Sequence, residues 1–442
     1  LGILDLFHLD TIFALSSGHG KCGVSVIRTS GPASGDALQL LTGWKQLPPP
    51  RRVTLTSLLC PTTGELLDRG LVLWFSGPKS FTGEDCCEYH VHGGPAVVMG
   101  VLQALGTVQM LRPAEPGEFT KRAFQNGKLD LTEAEGLGDL IHAETEIQRR
   151  QALRQMSGEL GQLYQKWSHR LVTALAHVEA FIDFSEDDNV EENVLTSAVD
   201  SEVKNLQEEL EDHLKDSRRG ERLRDGLHLV LAGATNAGKS SLLNLTSQKP
   251  AAIVSPIPGT TRDVVETVLN IGGYPVIMSD TAGLRDSEDP VEKEGVRRAK
   301  ERWVQPLLLI KQHSCQAISG KLVGFIYIKK GVIWAQLTSD LLRATVTVPG
   351  STIQILYTLK QFMFCSCGDP LHGAPSLTQT RHRLHLNKCL EALEQYTIYR
   401  EQDLVLAAEE LRISYRELGA ITGRVGVEGI LDIIFRDFCI GK

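Results

Sequence analysis

One stretch, Leu227 to Leu245, constrains this chain more than any other. An apolar run from Leu227 to Ala232 ends in Gly233-Ala-Thr-Asn-Ala-Gly238-Lys239-Ser240 and passes directly into the helix-like Ser241-Leu-Leu-Asn-Leu. Strand, glycine loop and helix in that order are the context in which G-x-x-x-x-G-K-S carries meaning. Gly233 and Gly238 leave space for backbone N–H groups, from Asn236 and Ala237 to Ser241, to close round phosphate oxygens at the positive end of the new helix. Lys239 then reaches the β- and γ-phosphates, and the Ser240 hydroxyl is placed to ligate Mg²⁺.

The remaining phosphate-binding parts follow in order. Ser255-Pro-Ile-Pro-Gly-Thr260-Thr261 precedes a β-like Val264 to Asn270, and a second β-like run, Tyr274 to Ser279, ends in Asp280-Thr281-Ala282-Gly283. Thr261 fits a switch hydroxyl on Mg²⁺, Asp280 fits an indirect carboxylate ligand, and Gly283 offers an N–H to the γ-phosphate. The next residue is Leu284, where many small GTPases carry the glutamine that orients water, so another group must position the nucleophile.

With 442 residues there is room for two or three domains. The chain is 42% hydrophobic and 23% charged, as a soluble globular protein is. A formal net charge of −8 argues against a dedicated basic nucleic-acid module, while leaving room for a local basic patch. Nine cysteines with no C-x-x-C pair point to reduced thiols in an intracellular compartment. No apolar run approaches a membrane span. The chain begins at Leu1, so the sequence leaves open whether a transit peptide precedes it.

Upstream, Ile12–Leu15 and Val24–Ile27 read as strands flanking a glycine-rich loop, with Arg28 at a strand end. In the alternation Cys87-Glu-Tyr-His-Val-His92, residues Glu88, His90 and His92 share one face. That face reads as solvated, and its His-x-His spacing lacks a third metal ligand. Pro95 to Gly106 reads as a helix. Helical periodicity, with Leu137, Leu140 and Ile141 and then Leu171, Leu175 and Val178, runs from about Leu131 to Phe184. After an acidic run (Glu186–Glu192), an amphipathic helix is expected from about Ser197 to Arg224, its basic end reading as a solvated face. Three more helices are expected at Leu384–Tyr396, Leu404–Leu418 and Val427–Phe438. Helical segments on both sides suggest a nucleotide domain inserted into a helical one.

Asp10-Thr-Ile12, Val26-Ile-Arg28-Thr-Ser-Gly31, Phe81-Thr-Gly-Glu-Asp85, His92-Gly-Gly94, Pro116-Gly-Glu-Phe119 and the terminal Phe438-Cys-Ile-Gly-Lys442, joined to the phosphate-binding parts, resemble the MnmE (TrmE) family of tRNA-modification GTPases, especially its mitochondrial members. The resemblance implies an α/β and α protein in three parts. An N-terminal α+β folate-binding and dimerisation domain spans 1–128; a helical domain is made of 129–224 and 375–442; a P-loop G domain is inserted at 225–374. It further implies a homodimer that binds GTP, Mg²⁺, K⁺ and a tetrahydrofolate derivative, with no membrane. With a FAD-dependent MnmG-type partner it would modify C5 of the tRNA wobble uridine with a taurinomethyl- or carboxymethylaminomethyl-type group, taurinomethyl in mitochondria. Arg28, Glu88, Lys128 and Lys442 would hold the folate. Asn236, Ser255, Ile257 and Thr260 would hold K⁺, and Glu292 would orient the water, although by pattern alone it is an ordinary exposed helix residue.

The family pattern stops between about 303 and 374. A G domain needs an Asn-Lys-x-Asp strand end for guanine and a later Ser-Ala-Lys-like loop. Neither is present, and Thr338-Ser339-Asp340 is at best a remnant. Two rivals to an active GTPase therefore stand: a non-catalytic, folate-binding dimeric scaffold with an impaired nucleotide site, and a stand-alone folate-dependent aminomethyltransferase, which leaves the phosphate loop unexplained.

Overall fold

The computed structural model describes residues 10–184, 192–215, 219–233, 252–253, 266–280, 323–329, 332–337, 346–349, 376–425, and 431, 434, 435, 438 and 441. They fall into two units, Leu1–Gly138 with Gly419–Lys442, and Asp139–Leu418.

In the first unit, strands β1 (Thr11–Leu15) and β2 (Cys22–Ser30) lie either side of the glycine-rich loop, as expected. Helix α1 (Ser34–Thr42), strands β3 (Thr54–Leu59), β4 (Leu66–Phe75) and β5 (Cys86–Gly93), helix α2 (Pro95–Gly106), strand β6 (Leu111–Pro113) and helix α3 (Glu118–Gln125) follow. The six strands order as β3-β4-β5-β2-β1-β6, and only β1 and β6 are parallel. Period-two alternation divides the sheet. Ile27, Leu58, Val72, Trp74 and Tyr89 pack with Leu38 and Leu41 of α1 and Val101 and Leu105 of α2. Arg28, Glu88 and His90 are thereby left for the opposite face. Pro95 at the start of α2 sets the first helical φ and removes an N–H that had no partner there.

Helix α4 (Leu131–His142) opens the helical region. Its buried residues are Leu131, Thr132, Ala134, Glu135 and Gly136, whereas Ile141 of the expected apolar stripe is exposed. The region read as one helical stretch is broken into α4, α5 (Glu146–Met156) and α6 (Glu159–Phe184). A capping box between Thr145 and Gln148 fixes the start of α5.

The single helix expected from Ser197 to Arg224 is instead α7 (Glu192–Leu214) and α8 (Arg219–Asp225). Arg383 explains the break: its Nη1 donates to the Leu214 carbonyl at 2.9 Å, satisfying the end of α7, and its Nε donates to Glu221 at 2.9 Å. At the basic end Arg219 and Arg224 are exposed, while Gly220, Glu221 and Leu223 form the buried side of α8. Helices α9 (Thr380–Tyr399) and α10 (Leu404–Thr422) bring the C-terminal segment onto the middle one. Tyr396 Oη donates to Asp200 at 3.1 Å, and Arg412 pairs with Glu179 at 2.6 Å. The bundle core includes Tyr164, Trp167, Leu210, Leu386 and Leu393. Of the third C-terminal helix, positions 431, 434 and 435 are described and helical.

Between α8 and α9 runs a second sheet. Its strands are β7 (Leu227–Gly233), β8 (Ala252–Ile253), β9 (Glu266–Ile271), β10 (Tyr274–Asp280), β11 (Val323–Lys329), β12 (Val332–Leu337) and β13 (Val346–Pro349). Their order is β13-β12-β11-β7-β10-β9-β8, with β7 parallel to both β10 and β11 and the other neighbours antiparallel. Among the described residues, no helix is long and apolar enough to cross a membrane.

Candidate functional site

Arg28 and Glu88 lie directly opposite each other across the β2–β5 ladder. Arg28 donates from Nη2 at 2.8 Å and Nε at 3.1 Å to one oxygen, Glu88 Oε1. Both side chains keep about one-sixth of their surface exposed, at 16% and 18%. The other carboxylate oxygen faces His90 Nε2 at 3.4 Å. Two aromatic rings flank the guanidinium, with Phe81 and Phe119 centroids 5.5 and 5.8 Å from Arg28 Cζ. A charged pair with the exposed ring of Phe81 on one side and the buried Phe119 of α3 on the other suits a flat, polar-edged ligand, because it offers donors, an acceptor and an aromatic surface together.

One loop, Pro78 to Asp85, joins this pair to Lys128. It carries Phe81, and its Pro78 carbonyl accepts from Lys128 Nζ at 2.9 Å. The loop is pinned at its base. The buried hydroxyls of Ser30 and Thr82 are 2.7 Å apart, Asn126 Nδ2 donates to the Thr82 carbonyl at 2.7 Å, and the Gly77 N–H donates to Asp85 at 2.8 Å. Lys442 lies outside the described residues, but Gly441 is placed. Ser16 Oγ donates to its carbonyl at 2.9 Å, and at φ +95° it packs so closely on β1 that an added Cβ would stand 2.2 Å from the Leu15 carbonyl. The end of the chain thus reaches the β1–β2 loop, with Phe435 and Phe438 packed on Leu131 and Ala134.

Behind Phe119 lies a network that the sequence did not disclose. Arg122, 4% exposed, pairs with Asp10 at 2.8 Å, Glu118 at 3.0 Å and Glu84 at 3.2 Å. Arg112 pairs with Glu118 at 2.6 Å and with Asp10 at 2.5 Å, and Ser30 Oγ donates to Glu84 at 2.6 Å. Burial opposes ionisation of Asp10 and Glu118, yet the two guanidiniums outweigh it and hold both carboxyls below their usual range. The network ties α3, which carries Phe119, to the loop that carries Phe81. Two of its acids, Glu84 and Glu118, stand in Phe-Thr-Gly-Glu-Asp and Pro-Gly-Glu-Phe, but nothing local in the sequence pairs them with Arg122.

The nucleotide-site residues fall mostly outside the described set: Asn236, Ala237, Gly238, Lys239, Ser240, Ser241, Ser255, Ile257, Thr260, Thr261, Thr281, Ala282, Gly283 and Glu292. The described backbone gives their anchor points. β7 ends at Gly233 and the parallel β10 ends at Asp280, with Asp280 opposite Leu231, so the glycine loop and the Asp280 loop leave the same sheet edge from neighbouring strands. That is where a triphosphate and its cation would be held. Among the described residues, no group of three or more His, Cys, Asp or Glu could hold a metal ion.

Comparison with known proteins settles the class. A family model described as the GTP-binding protein TrmE N-terminus matches residues 11–128, and one described as the MnmE helical domain matches 131–439. The chain belongs to the MnmE/TrmE family. Among its relatives it is 55% identical to the mitochondrial 5-taurinomethyluridine-[tRNA] synthase subunit GTPB3 of Danio rerio and 54% to that of Homo sapiens, in each case over 98% of this chain and 93% of the relative. It is also 46% identical to the tRNA modification GTPase MnmE of Parvibaculum lavamentivorans, over 98% of this chain and 100% of that protein.

Proposed function

We propose that this chain is the GTP-binding subunit of a mitochondrial enzyme that modifies C5 of the wobble uridine in tRNA. It would work as a homodimer with a FAD-dependent MnmG-type partner and a tetrahydrofolate one-carbon donor. The observation that carries the reading is the Arg28–Glu88 pair under Phe81 and Phe119, in a chain whose β7 and β10 also deliver Gly233 and Asp280 to one sheet edge. Arg28, Glu88 and Lys128, with Lys442, would hold the folate, whose bound derivative would supply the one-carbon unit.

At the nucleotide site Gly233 and the backbone from Asn236 to Ser241 enclose the phosphates, and Lys239 neutralises them. Ser240 and Thr261 hold Mg²⁺, with Asp280 acting indirectly. Asn236, Ser255, Ile257 and Thr260 hold K⁺. Bound there, K⁺ would neutralise transition-state charge, a role worth about 10³–10⁵ in rate when an arginine fills it. Glu292 orients the attacking water in place of a glutamine at Leu284. Domain limits of 1–128, 129–224, 225–374 and 375–442 complete the proposal.

The folate site is tested by titrating 5-formyltetrahydrofolate into the full-length Arg28→Ala and Glu88→Ala variants. A hydrogen bond to a charged group is worth about 1.5–3 kcal/mol, so Kd should rise about tenfold or more. Unchanged affinity in both variants would move the folate site elsewhere. Hydrolysis has a separate test: turnover should be faster in K⁺ than in Na⁺, and Glu292→Ala should slow it while nucleotide affinity holds. Equal rates in the two salts would contradict the cation mechanism.

A second reading, a folate-binding dimeric scaffold without catalysis, is favoured by one observation. A strand ending in Asn-Lys-x-Asp has to run parallel to β7 to bring its Asp to the nucleotide edge. β11 does run parallel there, but it ends at Lys329 and pairs antiparallel with β12 across Lys330-Gly331. Absence of triphosphate binding with intact folate binding would select that reading.

A further inference from the structure

Strands β9 and β10 form an antiparallel hairpin in continuous register from Glu266 opposite Ser279 to Ile271 opposite Tyr274. One end of it joins the nucleotide residues: Thr260 and Thr261 lie just before β9, and Asp280 closes β10. The other end is the Gly272–Gly273 turn, held by Asn270 Oδ1 accepting from the Gly273 N–H at 2.8 Å. This turn sits on the start of α5. Gly273, at φ +95°, has no side chain, and a Cβ there would lie 3.0 Å from Ile147 Cγ1 and Cδ1. The Ile147 N–H meets the Gly273 carbonyl at a long 3.4 Å.

The neighbouring residue grips the end of α8 instead. Gln148 Oε1 accepts from the Glu144 and Thr145 N–H groups at 3.1 Å, and its Nε2 donates to the Arg224 carbonyl at 3.0 Å. Arg224 stands at the root of β7, and α8 is fastened to the bundle by Arg224–Asp139 at 2.6 Å and Arg383–Glu221 at 2.9 Å. At its far end α5 meets the segment leading into α9, where Thr378 Oγ1 donates to Gln155 at 2.6 Å in a buried contact. Ile147 and Gln148 therefore touch the hairpin and the β7 root side by side. The contact at the β7 root is a side-chain hydrogen bond; the hairpin contact joins Ile147 to Gly273 through close packing and its backbone N–H.

We propose that the first turn of α5 reads the position of the β9–β10 hairpin against β7 and passes the nucleotide state to the helical bundle; this rests on the nucleotide reading above. A hydrogen-bonded ladder does not stretch, so pulling on both strands at the phosphate end displaces the turn at the other. Ile147 follows that turn while Gln148 stays with β7, which twists the α5 cap and loads Gln155 against Thr378.

Hydrogen–deuterium exchange on the full chain tests this, using saturating GDP or a non-hydrolysable GTP analogue with Mg²⁺ and calorimetry on the same samples to establish saturation. Amides from Ile147 to Gln151 should exchange about fivefold or more differently between the two states, the lower end of ordinary allosteric coupling. Ile147→Ala should abolish that difference with nucleotide affinity and melting temperature unchanged, and Ile147→Val should restore most of it. Saturated nucleotide with identical α5 exchange in both states overturns the relay alone. No triphosphate binding by calorimetry overturns the relay together with the nucleotide reading beneath it. A full response in Ile147→Ala shows that the signal bypasses this contact and overturns the assignment.

Discussion

Replacing Arg122 by methionine should destabilise the N-terminal unit by about 3–5 kcal/mol, the usual consequence of removing one partner from a buried ion cluster. Whole domains are stable by only about 5–15 kcal/mol, so much of the unit's margin would go. Arg122 is 4% exposed and faces Asp10, Glu84 and Glu118; without it those three carboxylates meet with Arg112 as the remaining cation of the cluster. The measurement is urea unfolding of the full chain, with exchange protection of the β5 amides reporting on this unit. A loss below about 1 kcal/mol, typical of an exposed pair, would mean the network is ornamental.

The same cluster sets an acid limit in the unaltered protein. Asp10 and Glu118 titrate below their ordinary values of 3.8 and 4.5, so the unfolded chain holds their protons more tightly than the native one. Their contribution is therefore complete above those values and is lost as pH falls through the lower native ones. In Arg122→Met the dependence should weaken or reverse, because protonation then relieves repulsion.

Much of the first unit was legible because its strands alternate. Glu88 could be assigned to the face away from Tyr89 by counting residues, and Arg28 stood at the end of an apolar run. That the two are partners required the β5-β2 adjacency, a long-range pairing that no local pattern encodes. Arg122 was harder still. Lys121-Arg122 reads as a polar helix surface, and only the acids supplied by Asp10, Glu84 and Glu118 make its burial tolerable. In the basic run before β7 the buried charge is the acid Glu221, drawn inward by Arg383, far away in sequence. Short-period signals survive translation into structure; charge partners from distant segments do not announce themselves. The phosphate loop shows the opposite balance: its chemistry is plain in the sequence, and the structure contributes the parallel ends of β7 and β10.

The largest expected effect lies in nucleotide choice. The phosphate-binding residues, Gly233 to Ser240, Thr261 and Asp280 to Gly283, are complete in the sequence, whereas the guanine-binding ones are not. Phosphate contacts and Mg²⁺ are blind to the base, so triphosphate binding should survive. Discrimination should not. A site that hydrogen-bonds a particular polar edge rejects the wrong ligand by about 10⁴–10⁵, and without its carboxylate most of that ratio disappears. The strand placed to supply it, β11, ends at Lys329 and turns back into β12 with no acid between them. Asp340, outside the described residues, is the remaining candidate for pairing with guanine. Titrations with GTP, ATP and XTP should give weak binding with closely similar affinities, and Asp340→Ala should change little beyond any residual preference for GTP. Tight GTP binding with strong rejection of ATP, unaltered by Asp340→Ala, would place base recognition elsewhere in the chain.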